Sequence, residues 1–162
     1  MPSTFDRIAT FTVTSSTTSI DFTSIPATYS DLVIVGQWRD NVNASSLKIR
    51  TNGQSSGYRR VFYARQSNTV GGGNDNSASD AYGGEDVTIA GSFNSYYAFI
   101  NNYTFNNGSK VLVARMGSRS PQQVFITSQL PDSNNAVNRI NFFVDNGFGI
   151  GTNFTIYGIL RA

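Results

Sequence analysis

The sequence predicts an all-β protein made of two packed antiparallel sheets, a jelly-roll-like sandwich. Helical periodicity is missing, whereas apolar and polar residues alternate with a period of two in successive runs. Turn residues, mainly Gly, Asn, Pro and Ser, separate these runs at spacings of about 10 to 15 residues. From eleven candidate runs we expect about nine or ten short strands, which favour a sandwich, with a closed barrel as the competing architecture.

Five candidate strands lie before residue 66. The second ends ahead of Ile25-Pro26, because proline cannot donate to a strand ladder. The third is apolar on both faces at its start, which is typical of a strand covered on both sides, and we expect Trp38 at its end to lie in the core. The fourth stops at Asn52-Gly53, a strong hairpin signal, so the fifth is its expected partner. In order, the five are Phe5–Thr14, Ser19–Phe22, Asp31–Trp38, Ser46–Thr51 and Arg60–Arg65.

The second half of the chain supplies the other strands. A short candidate comes first, followed by a long aromatic strand that turns at Asn106-Asn107-Gly108 into its hairpin partner. Three further alternating runs lead to the end of the chain. These candidates are Val87–Ile89, Tyr96–Phe105, Lys110–Met116, Gln123–Leu130, Ala136–Val144 and Phe154–Leu160.

The segment Gln66–Asp86 interrupts this pattern. It contains five glycines and almost no apolar residue, so we predict a Gly/Ser/Asn-rich surface loop inside a single domain that spans residues 1–162. A loop of this length in a compact domain is usually functional or disordered. A neighbouring subunit could order it, or it could simply be mobile.

The composition argues against catalysis. The chain has no histidine, no cysteine and a single glutamate, so the usual general bases, thiolate nucleophiles and zinc ligands are missing. Most of the ten acidic residues sit beside Gly, Ser or Asn, where carboxylates commonly cap turns instead of forming a glycosidase pair. The acidic residues around Glu85 could ligate calcium, but they lack the EF-hand pattern. We therefore expect a protein that is not an enzyme and needs no cofactor or metal.

Charge and hydropathy narrow the possible partners. Only 14% of residues are charged, the formal net charge is +2, and the basic residues are scattered apart from Arg59-Arg60, which predicts no binding to nucleic acid. The chain has no run of 18 apolar residues and no apolar segment near Met1, so we expect neither a membrane anchor nor a signal peptide.

Aromatic and arginine residues cluster in one part of the sequence and form the candidate contact surface. Such a mixture suits stacking on sugar rings or filling a protein interface. Strands also use aromatic residues in their cores, so a purely structural interpretation stays open. The candidates are Tyr58, Arg59, Tyr63, Arg65 and Tyr82.

Two segments carry a resemblance to a known family. Residues 22–39 are FTSIPATYSDLVIVGQWR and residues 151–161 are GTNFTIYGILR. Both are similar to segments of virion structural proteins of tailed bacteriophages, frequent in marine and cyanobacterial phages. Ile156 departs from the family pattern, which commonly has leucine there. Asn52 and Tyr58 match a further stretch of the family pattern between the two segments. The matching residues within the segments are Phe22, Ile25, Pro26, Tyr29, Asp31, Leu32, Phe154, Tyr157, Gly158 and Ile159.

The resemblance implies a structural role in a virion after synthesis in the host cytoplasm. Family members occur as parts of fibres and as free-standing chains. This chain begins near its first strand and ends on its last, without a stalk, which favours a capsid decoration (cement) protein over a fibre tip. Such a protein would bind and stabilise the shell of major capsid protein, and we expect it to be a homotrimer.

A second function stays open. The chain could be a carbohydrate-binding host-adhesion module, from a tail fibre or receptor-binding protein, in which Tyr58, Tyr63 and Tyr82 stack on a glycan. Sandwich folds host both roles, so the fold alone does not separate them.

Overall fold

Twelve β-strands form the framework of the protein, so the predicted count of about nine or ten is too low, chiefly because most of the segment predicted as a loop is strand. The computed structural model describes residues 5–42, 45–66, 69–85, 92–117, 123–131 and 135–160. Within these ranges no helix is found, and therefore none that could cross a membrane. The strands are β1 (Phe5–Thr12), β2 (Thr17–Phe22), β3 (Asp31–Trp38), β4 (Ser46–Thr51), β5 (Tyr58–Gln66), β6 (Thr69–Ala78), β7 (Ala81–Glu85), β8 (Asn94–Asn101), β9 (Val111–Gly117), β10 (Gln123–Gln129), β11 (Ile140–Phe148) and β12 (Asn153–Ile159).

The strands form two antiparallel sheets, which confirms the predicted sandwich. The large sheet has eight strands in the order β1-β12-β3-β8-β9-β10-β5-β6, and the small sheet has four in the order β2-β11-β4-β7. Eight of the strands have jelly-roll connectivity: β1-β12-β3-β8 face β2-β11-β4-β7, with successive strands mostly alternating between sheets.

Two hairpins are added to this jelly roll. The hairpin β5–β6 lies in the sequence between β4 and β7, and β9–β10 lies between β8 and β11. Both join the large sheet beyond β8, so one sheet of the sandwich is twice as wide as the other. Strand β7 packs over β5, β9 and β10, so the small sheet also covers part of the added strands.

The core lies between the two sheets and is centred on aromatic rings. Phe142 of β11 stacks on Phe154 of β12 with ring centroids 4.4 Å apart and an angle of 6° between the rings. Tyr96 and Phe148 pack edge-on against Phe154, at 5.7 and 6.2 Å. Trp38 is fully buried, which confirms its predicted place in the core. Because the stacked pair joins the two sheets, it fixes how they face each other.

The corner between β2 and β3 is held by contacts from distant parts of the chain. The backbone N–H of Ile25 donates to the carbonyl of Asn138 at 2.9 Å, and the Tyr103 hydroxyl donates to the carbonyl of Pro26. The ring of Tyr29 lies over Gly158 of β12, where a Cβ atom would be only 2.3 Å from the ring. Pro26, Tyr29 and Gly158, which belong to the segments that carry the sequence resemblance, thus build a structural corner.

Three sequence predictions need correction or fall outside the described residues. Most of the predicted loop Gln66–Asp86 is strand, since β6 and β7 cover residues 69–78 and 81–85, so the loop prediction is wrong. Asn52-Gly53 does form a turn with positive φ at both residues, but β4 pairs with β11 and β7, not with β5. The predicted hairpin is wrong because residues 54–57 carry the chain across to the other sheet. The candidate Val87–Ile89 lies outside the described residues.

The central stack gives a stability prediction. Replacing Phe142 with Ala removes a fully buried ring and leaves a cavity between the sheets, so the free energy of unfolding should fall by about 3 to 5 kcal/mol. Urea denaturation measures the change. As a control, Phe105→Ala removes a ring that is 51% exposed and should change the same quantity by less than about 1 kcal/mol. Equal losses in the two variants would contradict a core organised around this stack.

Candidate interaction face

The solvent side of the large sheet, here called the outer face, carries two rows of side chains that follow the strand pairing from β1 to β6. Residues directly opposite each other in antiparallel strands lie on the same face, so the pairing register defines each row. Among the described side chains, one row contains Arg7, Tyr157, Val33, Phe99, Val113, Val61 and Asn74. The next contains Thr10, Thr155, Val35, Tyr97, Arg115, Tyr63 and Gly72.

Large apolar side chains on the outer face are exposed to solvent. Tyr63 is 61% exposed, Tyr97 46% and Val61 48%. Phe5 lies at one end of the same face, where its ring meets that of Tyr157 at 6.4 Å. Val70, at the other end, is also largely exposed. Several large apolar side chains exposed on one face mark an interaction site more often than single ones scattered over a surface do.

The charges on the outer face have one sign. Arg7, Arg59 and Arg115 are exposed there, distributed over β1, β5 and β9. The one acidic residue that the described strands place on this side is Asp31, which is buried and accepts a 2.8 Å hydrogen bond from the N–H of Asn102. The charged side chains that the described strands expose on this face are therefore basic, and they lie among apolar and uncharged polar residues.

The solvent side of the small sheet has a different character, because it carries charges of both signs. Lys48 donates to Asp145 at 2.7 Å, and the Arg139 Nε donates to Asp21 at 2.8 Å. The Arg50 guanidinium lies 4.6 Å from the ring centroid of Phe143 and covers that ring. Since these groups satisfy one another, this side has the character of an ordinary solvated surface, and the outer face is the better interaction candidate.

The structure separates the five residues predicted as a contact surface. Tyr63 and Arg59 are exposed on the outer face, whereas the side chain of Arg65 lies outside the described part of the chain. Tyr58 is fully buried: the N–H of Thr51 donates to its hydroxyl at 2.9 Å, and the hydroxyl donates to the carbonyl of Gln54. A surface role for Tyr58 is therefore wrong, and burial raises the pKa of its hydroxyl.

Tyr82 does not belong to the outer face either. It is half-buried on β7 of the small sheet and packs against Phe62 of the large sheet, with ring centroids 5.4 Å apart. The Arg60 guanidinium lies 5.5 Å from the Tyr82 ring. Tyr82 therefore helps to close the space between the sheets over the added hairpin, which is a packing role.

Sequence reasoning missed several members of the outer face, above all Tyr97, Phe99 and Arg115. Tyr97 and Phe99 share a parity in the sequence, so alternation places them on the same face of β8. Alternation does not say which parity is covered, and the other parity, Tyr96 and Ala98, is the buried one. The register across strands, which the sequence does not display, brings Tyr97 into line with Tyr63.

Two of the acidic residues near Glu85 that were considered for calcium, Asp75 and Asp80, are engaged by an arginine, whereas the side chain of Glu85 and the residue Asp86 lie outside the described part of the chain. Arg60 reaches Asp75 with one guanidinium nitrogen and Asp80 with the other, both at 3.3 Å. Asp75 also accepts a hydrogen bond from the N–H of Ser77 at 2.9 Å. Among the described residues, no group of three or more acidic side chains comes together in a way that could hold a metal ion. This cluster ties β5 to β6 and the turn that follows.

A shallow depression of about 480 Å³ lies beside the Asn52 turn, lined by Ala27, Asn52, Gln54, Asn135, Ala136 and Asn138. The Asn52 side chain is already occupied, because it accepts from the N–H of Asn138 at 2.9 Å and donates to the carbonyl of Ala136 at 2.9 Å. The lining includes no aromatic ring for a sugar to stack on. The depression is therefore a weaker binding candidate than the outer face.

The comparisons with known proteins give no relative for this chain. No protein-family model, no curated protein and no solved structure matches it. The likeness to phage virion proteins therefore rests on the sequence segments alone and stays a prediction.

The ion pair on the small sheet gives a prediction about pH. The hydrogen bonds from Arg139 hold the pKa of Asp21 below its ordinary value, so the pair stabilises the fold fully above the pKa of an unfolded aspartate, about 3.9. This contribution is lost as the pH falls through the lowered pKa of the folded state. Asp21→Asn should therefore be less stable than the unsubstituted protein at neutral pH, and the gap should close in acid.

Urea denaturation of both proteins at neutral and at acidic pH measures this gap. Arg139→Gln serves as the matched control, because it removes the other partner and should reproduce the same loss at neutral pH. A gap that stays constant across the acidic range would show that Asp21 acts through packing and not through its charge.

Proposed function

We propose that this chain is a non-enzymatic assembly protein, a capsid decoration (cement) protein that attaches to a shell of major capsid protein by its outer face. The observation that carries the proposal is the group of exposed tyrosine and valine side chains on the outer face, at Val61, Tyr63 and Tyr97. Tyrosine and arginine are the residues that most often supply binding energy at protein interfaces. Their concentration on one side of the protein favours docking on another protein surface.

The size of the outer face fits a specific protein contact. Eight strands spaced about 4.8 Å apart and running for about seven residues give a face of roughly 800 to 900 Å². A specific interface of ordinary size buries about 800 Å² on each partner. The added hairpins account for half of the strands in this face, so the jelly roll alone would offer a much smaller surface.

The charges on the face indicate the chemistry of the partner. A partner with an apolar centre and carboxylates around it would pair with Arg7, Arg59 and Arg115 and cover the tyrosines. Two copies of this chain meeting through their outer faces would bring arginines against arginines. We therefore assign this face to a different protein, and the homotrimer that the resemblance implies would have to use another surface.

The virion setting is supported by the sequence resemblance, and the lack of catalytic equipment agrees with a structural role. The chain has no histidine or cysteine, and the described acidic residues at Asp75, Asp80 and Asp21 are bound to arginines. Tight attachment in many copies along a shell stabilises it by adding contacts between neighbouring subunits. This is the mechanism we propose for the chain.

A glycan-binding role is the second candidate, because Tyr63 and Tyr97 lie in one row with Arg115 between them. A flat pair of exposed rings can stack on sugar faces. Titration calorimetry with host oligosaccharides separates the two roles. Binding at millimolar affinity or tighter that is lost in Tyr63→Ala would favour adhesion, whereas an absence of binding across the series would favour decoration.

A reconstitution experiment tests the proposed decoration. Virus particles prepared without this chain are mixed with purified protein, and bound protein is measured after sedimentation. The unsubstituted protein should bind and should raise the temperature at which the particles lose their genome. Tyr97→Glu places a carboxylate at the centre of the outer face and should weaken binding by about 10- to 100-fold.

The matched control adds the same charge to the other side of the sandwich. Ser19→Glu changes an exposed residue of β2 on the solvent side of the small sheet, so it should bind as the unsubstituted protein does. Circular dichroism confirms that both variants are folded. Equal weakening in the two variants, or particles that are as heat-resistant without the chain as with it, would reject the proposal.

A further inference from the structure

Strand β6 forms one edge of the large sheet and has a single neighbour, β5, among the described residues. An edge strand presents every second N–H and C=O group to solvent, ready to pair with another strand. The pairing of β6 with β5 is regular over seven residues, Thr69–Asp75, before the register shifts near Ala78. Seven residues of regular strand extend about 23 Å.

The other three sheet edges are interrupted. Strand β1 is broken by a register shift between Arg7 and Ala9, and β7 has only five residues with a shift opposite Leu47 and Lys48. Strand β2 pairs regularly with β11 over only four residues before its register shifts. Bulges and short lengths are the usual devices that keep an edge from pairing with other chains. Among the described edges, β6 has the longest regular stretch.

Side chains do not protect β6 either. The strand contains no lysine, arginine or proline, the residues that commonly block edge pairing. Its one charged residue is Asp75, which is held by Arg60 at 3.3 Å and by the N–H of Ser77. Val70 is 69% exposed beside the edge and would be covered by an added strand.

The centre of β6 consists of three glycines, Gly71, Gly72 and Gly73, and packing within its own sheet explains only part of this composition. A Cβ atom at Gly72 would lie 2.7 Å from the carbonyl oxygen of Phe62, and one at Gly73 would lie 2.8 Å from the Phe62 ring. Gly72 is therefore required by its closeness to the β5 backbone, and a side chain at Gly73 would have to displace the Phe62 ring. At Gly71 nothing lies within 4 Å, so contacts within the chain do not require a glycine there.

We infer that β6 pairs antiparallel with β6 of a second copy, so that two large sheets join into one continuous sheet about a two-fold axis. An identical strand supplies the matching N–H and C=O groups when it runs in the opposite direction. With the axis near Gly72, Asp75 of one copy lies opposite Thr69 or Val70 of the other, so the acids do not face each other. This pairing uses the sheet edge and does not depend on what the outer face binds.

The pairing closes with two copies, so it predicts a dimer. Analytical ultracentrifugation over a concentration series should show a mass rising from 17.6 kDa to twice that value. Hydrogen exchange measured over the same series should show protection of β6 amides that increases with concentration. A wild-type protein that stays at 17.6 kDa throughout, or one that forms the trimer implied by the sequence resemblance, would overturn the inference.

The variant Gly71→Lys tests the position of the contact. The open space at Gly71 lets the chain fold with the longer side chain, while two added ammonium groups lie close together across the axis. The dissociation constant of the dimer should rise at least about tenfold. The matched control Ile150→Lys adds the same charge at a residue that is 58% exposed in the turn before β12, and it should leave the dimer unchanged. Equal association of the two variants would overturn the inference.

Discussion

The stack of Phe142 on Phe154 is the contact on which the rest of this structure depends, because it joins the small sheet to the large one at 4.4 Å. The two rings belong to β11 and β12, inner strands of their respective sheets. Once the two rings are face to face, the alternating apolar residues of each remaining strand must point into the space between the sheets. The opposite parity then becomes solvent-facing, and on the large sheet that parity includes Tyr97 and Tyr63. The set of residues on the outer face thus follows from the way the two sheets pack in the core.

The local alternation of apolar and polar residues predicts most of the strands, but it does not predict which strands pair with each other. Strands β3 and β4 begin and end where alternation predicts, because branched and aromatic side chains both favour strands and mark the buried parity. Strand β6 was missed since Gly, Asn and Ser disfavour strands, and it forms because β5 offers it a regular ladder. The hairpin expected at Asn52-Gly53 failed for a related reason. A turn signal is local, whereas β4 finds its partners in β11 and β7, far along the chain.

The candidate site was predicted in part, and the errors have one physical cause. Closeness in sequence is not closeness in space on a strand, where adjacent residues point to opposite faces. Tyr58 and Tyr63 are five residues apart on β5, yet one is buried at its beginning and the other is 61% exposed on the outer face. Tyr82 belongs to the other sheet altogether. The cross-strand register places Tyr97 in one row with Tyr63, and this register is defined only by the assembled sheet.

The two added hairpins link the proposed attachment to the proposed dimer. A jelly roll with four strands in each sheet would end at β8, and its solvent face would be about half as wide. Strands β9, β10 and β5 extend that face with Val113, Arg115 and Tyr63, while β6 supplies a regular edge at its margin. Pairing of β6 with a second copy would place two such faces side by side in one continuous sheet. A dimer would then meet its partner surface at two points at once, and the second contact would form at a much higher effective concentration than the first.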